Sequence, residues 1–213
     1  MNKIIFFIIV LLSSNCFSQK VQKDFQLSKI LDETSGLEIV DDLFITQNDS
    51  GNDPIIYYID FKGKIVNQRE IIGFENNDWE DLAVDDQFIY IADMGNNYDT
   101  RKNLSIIKIP KKSDSNDTFE SINFKYPEQS DFNYKRLSEF DAEALISIEN
   151  NLLIFTKNRA KKISDIYILP KTFAREAKKI VVDIDKYEIN KKRGLNVDIK
   201  INTDLNYFFQ KFK

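Results

Sequence analysis

Three stretches of one design decide how this chain folds. The first runs Leu37-Glu38-Ile39-Val40, turns at Asp41-Asp42, and returns as Leu43-Phe44-Ile45-Thr46. The second runs Leu82-Ala83-Val84, turns at Asp85-Asp86-Gln87, and returns as Phe88-Ile89-Tyr90-Ile91-Ala92. The third runs Ala144-Leu145-Ile146-Ser147-Ile148, turns at Glu149-Asn150-Asn151, and returns as Leu152-Leu153-Ile154-Phe155-Thr156. Short alternating apolar runs broken by Asp, Asn and Gly predict half-buried strands, and no segment after the N-terminal leader sustains a helical period. Asp and Asn suit the tight turns because they tolerate left-handed backbone angles.

Working outward, a polar loop and one more strand follow each hairpin. The loops at 47–54, 93–103 and 157–164 lead to strands at 55–60, 104–110 and 165–170, and a further strand precedes each later hairpin at 64–72 and 120–126. Four antiparallel strands per unit describe a propeller blade. Phe88 lies 45 residues after Leu43, matching the ~40–45 period of such repeats. Leu152 lies 64 residues after Phe88, and the excess falls in polar stretches at 111–118 and 127–138 that read as surface insertions. The expected fold is therefore all-β. It is a β-propeller-like array of four-stranded antiparallel blades over residues 19–185, three complete and a fourth beginning at 179–185, followed by an irregular tail at 186–213. A β-sandwich with similar hairpins is the alternative. Closed propellers have about four to eight blades. The array is thus expected to be incomplete or irregularly closed: truncated or frameshifted after about residue 178, closed by the tail, or completed by a second chain. Truncation is the favoured reading.

The leader has Lys3, the apolar run 4–12, and then Ser13, Ser14, Asn15, Cys16, Phe17 and Ser18. A positive start, a short apolar stretch and a small-residue cleavage site predict a signal peptide over residues 1–18. The run is shorter than the roughly 20 residues of a membrane-spanning helix. The expected location is secreted or periplasmic. Lipoprotein anchoring through Cys16 is the weaker reading, because Ser13 and Asn15 stand where such sites place Leu and a small residue.

Cys16 is the one cysteine, so the chain beyond the leader forms no disulfide and must rely on a packed core. The formal charge is −4, or −5 once Lys3 is removed, which offers no electrostatic hold on nucleic acid or anionic lipid. Histidine is absent. That excludes Ser-His-Asp and Cys-His nucleophiles and His-ligated zinc. Any catalysis would fall to Asp, Glu, Lys, Arg, Tyr or a bound hard cation, and no catalytic residue is assigned.

In an antiparallel hairpin the start of the first strand lies beside the end of the second. Residues entering each hairpin therefore share one rim with the loop leaving it. This places Glu38, Glu80, Asp81 and Glu143 together with Asp49, Asp93, Asn96, Lys157 and Arg159 as the expected ligand rim, with Asp49, Glu80, Asp93 and Glu143 as the candidate metal ligands. Trp79 either stacks on a ring substrate or packs between blades, and packing is favoured. Tyr57, Tyr58, Tyr90 and Tyr167 read as core.

Three groups of residues carry a family resemblance. They are Ser35-Gly36-Leu37-Glu38 with Asn48-Asp49-Ser50-Gly51-Asn52, then Asp78-Trp79-Glu80-Asp81-Leu82-Ala83 with Ile91-Ala92-Asp93-Met94-Gly95-Asn96-Asn97, then Asp141-Ala142-Glu143-Ala144 with Phe155-Thr156-Lys157-Asn158-Arg159. Over residues 27–170 the chain resembles secreted β-propeller proteins of Bacteroidetes, related loosely to the SdiA-regulated and esterase-like phytase propellers. The resemblance implies the fold rather than a reaction. Three roles stay open for the acidic rim. The acids brace neighbouring blades by accepting backbone N–H groups; or they hold a hard cation, best Ca²⁺, through carboxylate, carbonyl and Asn oxygens; or the cation serves a phosphoesterase, with Lys157 or Arg159 on the phosphate. The expected function is an exported binding or scaffold protein for a small molecule, glycan or protein. The alternative is a calcium-dependent phosphoesterase-like hydrolase.

Overall fold

The computed structural model describes residues 26–112, 118–172 and 176–180. The expected signal segment and tail lie outside them. Within them the protein is all-β, with a short 3-10 turn at Lys29–Leu31 leading in. The first sheet contains β1 (Thr34–Val40), β2 (Leu43–Asn48), β3 (Ile55–Ile59) and β4 (Ile65–Glu70). The second contains β5 (Trp79–Val84), β6 (Phe88–Asp93), β7 (Ser105–Pro110) and β8 (Glu120–Asn123). The third contains β9 (Ala142–Ile148), β10 (Asn151–Thr156), β11 (Ile166–Pro170) and β12 (Lys178–Ile180). Each sheet is an antiparallel meander in chain order. Lys178–Ile180 pairs with β11, so it is the fourth strand of the third sheet and not the start of a further unit.

Turn chemistry differs from one hairpin to the next. Asp41 and Asp42 both adopt left-handed angles, φ 47° and 61°, the pattern of a type I′ hairpin. At the second hairpin the work passes to a side chain: Asp85 Oδ1 accepts the N–H groups of Gln87 at 2.9 Å and Phe88 at 2.8 Å. In the third, Glu149 takes the left-handed angle, φ 46°.

The sheets stack face to face, with β1 beside β5 and β5 beside β9. Ile45 and Ile56 of the first sheet meet Leu82, Ile89, Ile91, Ile107 and Ile109 of the second. On the other face of the second sheet, Ala83, Tyr90, Ala92 and Ile106 meet Leu145, Leu152, Ile154 and Tyr167 of the third. The middle sheet is thus buried on both faces. That explains why β6 and β7 read as nearly unbroken apolar runs rather than alternating ones. Trp79 is fully buried in the first interface, its Nε1 donating to the Glu75 carbonyl at 3.2 Å. This is packing between sheets and not a ligand platform. Tyr57, Tyr90 and Tyr167 are also buried. The 127–138 stretch is more than a surface insertion: Gln129 and Ser138 are buried, and Gln129 Nε2 donates to the Asp99 carbonyl at 2.8 Å.

The three sheets share one register. Thr34 and Leu37 pair with Asn48 and Thr46, Trp79 and Leu82 with Asp93 and Ile91, and Ala142 and Leu145 with Thr156 and Ile154, with a bulge between each pair. Ser35, Glu80 and Glu143 are therefore equivalent bulge residues. Glu38 is not their counterpart, because it pairs with Ile45 three residues further into the strand and corresponds to Ala83 and Ile146.

Candidate metal centre

Stacking of the first sheet on the second carries the end of β2 and the start of β5 to the same rim. There the carboxylates of Asp49, Asp78 and Glu80 converge, with one oxygen from each lying within 4.8 Å of the others. Asp78 and Glu80 flank Trp79. The period-two pleat explains the grouping: the indole is driven into the core while its neighbours on either side stay on the rim. Gly95 leaves them room, because a Cβ there would collide with Glu80 Oε1 and with Asp78 Oδ2 and Cγ. The three acids are half-buried, and none forms an ion pair among the described residues. Three such groups can hold a metal ion.

The electrostatics are unfavourable without a cation. Burial pushes the Glu80 carboxyl up to about 8, with the negative charges of Asp78, Glu143, Asp49 and Asp141 adding to the effect. Asp78 is also raised, first by burial, against the opposing pull of the Arg101 guanidinium. Four buried polar atoms on nearby segments lack partners: Gln47 Nε2 and Oε1 and Asn48 Oδ1, just before Asp49, and Asn96 Nδ2, just after Gly95. Buried polar atoms normally find hydrogen bonds, so these orphans suit a rim completed by water or a ligand.

The other rim acids are already engaged. Asp93 pairs with Arg101 at 2.7 Å and accepts from Asn77 Nδ2 at 2.9 Å. Glu143 pairs with Lys157 at 2.9 Å and with Arg159 at 3.4 Å. Of the four expected metal ligands, then, Asp49 and Glu80 are brought together, whereas Asp93 and Glu143 are held by cations. Asp141 pairs with Arg159 and accepts the Asn96 N–H at 2.7 Å, tying the second sheet to the third. Arg159 further donates to Ser138 Oγ at 2.8 Å and Asn97 Oδ1 at 2.9 Å. Glu38 lies away from the triad, its carboxyl raised chiefly by burial and also by Asp81.

Asp81 is a brace. Its Oδ2 accepts the Leu145 N–H of the third sheet at 2.7 Å and its Oδ1 accepts its own strand's Leu82 N–H at 2.8 Å. Asp81→Ala strands the Leu145 N–H in the interface and should cost about 2 kcal/mol. Urea unfolding should show this as a lower midpoint, with Asp81→Asn recovering only part of it, because its amide has one acceptor oxygen where the carboxylate uses two. An alanine variant as stable as the wild type would contradict the brace.

Asp78 and Asp141 stand among the residues entering the second and third hairpins but were not among the ligand residues expected from sequence. The i, i+2 spacing of Asp78 and Glu80 around Trp79 was the available signal for the first. Asp141 carried none, because its partners Asn96 and Arg159 sit 45 and 18 residues away in the chain. A second polar hollow, lined by Gln129, Lys135, Glu139, Asn158, Lys161 and Lys179, neutralises itself. Lys161 meets Glu139 at 2.6 Å and Lys179 meets Asp165 at 2.8 Å. Among the described residues no helix is long and apolar enough to cross a membrane. Compared with known proteins, the chain matches no family model and no curated protein.

Proposed function

We propose that this is an exported binding protein of the β-propeller type that holds a divalent cation, Ca²⁺ by its ligand chemistry, between Asp49, Asp78 and Glu80. One observation carries the reading: three carboxylates converge within 4.8 Å with no cationic side chain paired to them, while acids around them have Arg or Lys partners. An all-oxygen donor set on a rim is what Ca²⁺ takes, and extracellular modules bind it with Kd of about 10⁻⁴–10⁻³ M. The shared register and the serial contact of β1, β5 and β9 support three consecutive blades. They fit the resemblance to secreted propellers. The phosphoesterase reading lacks comparable support. Arg159 is committed to Asp141, Ser138 and Asn97 and Lys157 to Glu143, so neither base is free for a phosphate.

Thermal unfolding with calcium and with chelator tests the proposal. Calcium at a hundredfold excess over Kd should add about 2.7 kcal/mol, raising the midpoint by several degrees, and Asp49→Asn should remove most of that gain. An unchanged midpoint would rule out the cation.

A further inference from the structure

Leu82 and Leu145 occupy one position of the repeat and are 1% and 3% exposed, because each packs on the sheet before its own. Leu37 occupies the same register position on the first sheet and is 61% exposed. Ile39, on the same face of β1, is 55% exposed. Leu31 covers Tyr57 and Ile59 of β3 on this face, so the bare part belongs to β1. The opposite end of the stack has the converse deficit. Ala83 is fully buried because it faces the following sheet, whereas its counterpart Ile146 is 48% exposed. On the same face as Ile146, Phe155, Ile166 and Ile168 are only half-buried around Leu153, which is 7% exposed.

The two bare faces are therefore of opposite type. Among the described residues, one has no sheet preceding it and the other has none following it. Together they match the two faces that meet inside the chain, where Ala83 and Leu145 share one cluster. We infer that a second copy of this chain supplies the missing neighbours. The third sheet of each copy packs on the first sheet of the other, with Ile146 against Leu37 of the second copy, as Ala83 packs with Leu145. Two such contacts related by a twofold axis close the assembly, and a closed symmetric dimer avoids open-ended stacking. The ring would hold six sheets, inside the four-to-eight range of closed propellers. The inference rests on the blade-array reading but not on the cation.

Light scattering on the full chain at micromolar concentration should give twice the single-chain mass and no larger species. Leu37→Asp and Ile146→Asp should each yield monomer with unchanged far-UV circular dichroism, since both side chains are about half exposed or more within one chain. In a Cys16→Ser background, the double variant Leu37→Cys/Ile146→Cys should oxidise to a covalent dimer. A single-chain mass for the wild type would overturn the inference. It is also the result expected if residues 181–213 cover the third sheet. Mass growing without limit, or a dimer indifferent to both Asp substitutions, would overturn it equally. The Leu37→Asp monomer should keep its calcium response, because the triad lies within one chain, so a lost response counts against the cation alone.

Discussion

Gly36→Ala should lower the unfolding free energy by about 3 kcal/mol, near the upper end of overpacking costs, and the melting midpoint by about 10 °C. Gly36 lies in the β1 bulge, where a Cβ would fall 2.5 Å from the Leu82 nitrogen and 2.9 Å from the Asp81 carbonyl carbon. Those atoms belong to the backbone of β5, which cannot rotate aside. The two sheets must separate, and the Ser35 Oγ bond to the Glu80 carbonyl, at 2.5 Å, is lost with their contact. Gly95→Ala is the informative contrast. Its collisions are with the carboxylates of Asp78 and Glu80, which can swing away at little cost to the fold but cease to converge. Urea unfolding should separate the two variants, and calcium titration should reverse their ranking. A Gly36→Ala protein as stable as the wild type would refute the close approach of β1 to β5.

Glu80→Gln should stabilise the cation-free protein, and increasingly so as pH rises. The Glu80 carboxyl stands at about 8 in the fold against an ordinary glutamate value of 4.5, so the folded state retains the proton. Its contribution is fully present below the unfolded value and is lost as pH rises through the folded one. Gln cannot ionise and escapes this loss. In chelator, the midpoints of variant and wild type should coincide near pH 4 and diverge up to pH 8.5. The full difference should be about 2 kcal/mol, the shift having been discounted for the rim's partial exposure to solvent. With calcium the order reverses, because the wild type gains a bound ion and the variant loses a charged ligand. A difference that stays flat across this range would show that Glu80 is not a strained acid.

Much of the fold was legible because strands announce themselves locally. Alternation, Asp-rich turns and a 45-residue spacing marked the hairpins before any contact was known. The site was legible only in part. Asp49 and Glu80 could be placed on one rim by hairpin logic. Glu38 was misplaced beside Glu80 because the two were matched by residue type, whereas the strand register puts Ser35 at the Glu80 position. Asp81, an equal candidate by sequence, is a brace because its carboxylate meets an N–H 64 residues away.

By itself, the sequence determined the strand character, the fourfold grouping of strands and the absence of histidine and disulfide chemistry, since these depend on residue type and near-neighbour spacing. Only the tertiary structure decided which acids are free and which are spent. Whether a carboxylate is neutralised depends on the cation or N–H that packing brings within about 3 Å; Asp93 and Glu143 find theirs in loops of their own units, while Asp81 and Asp141 also reach N–H groups of a neighbouring sheet. The same reason separates Leu37 from Leu82 and Leu145: position within the repeat makes them alike, and the presence or lack of a neighbouring sheet makes one exposed and the others buried.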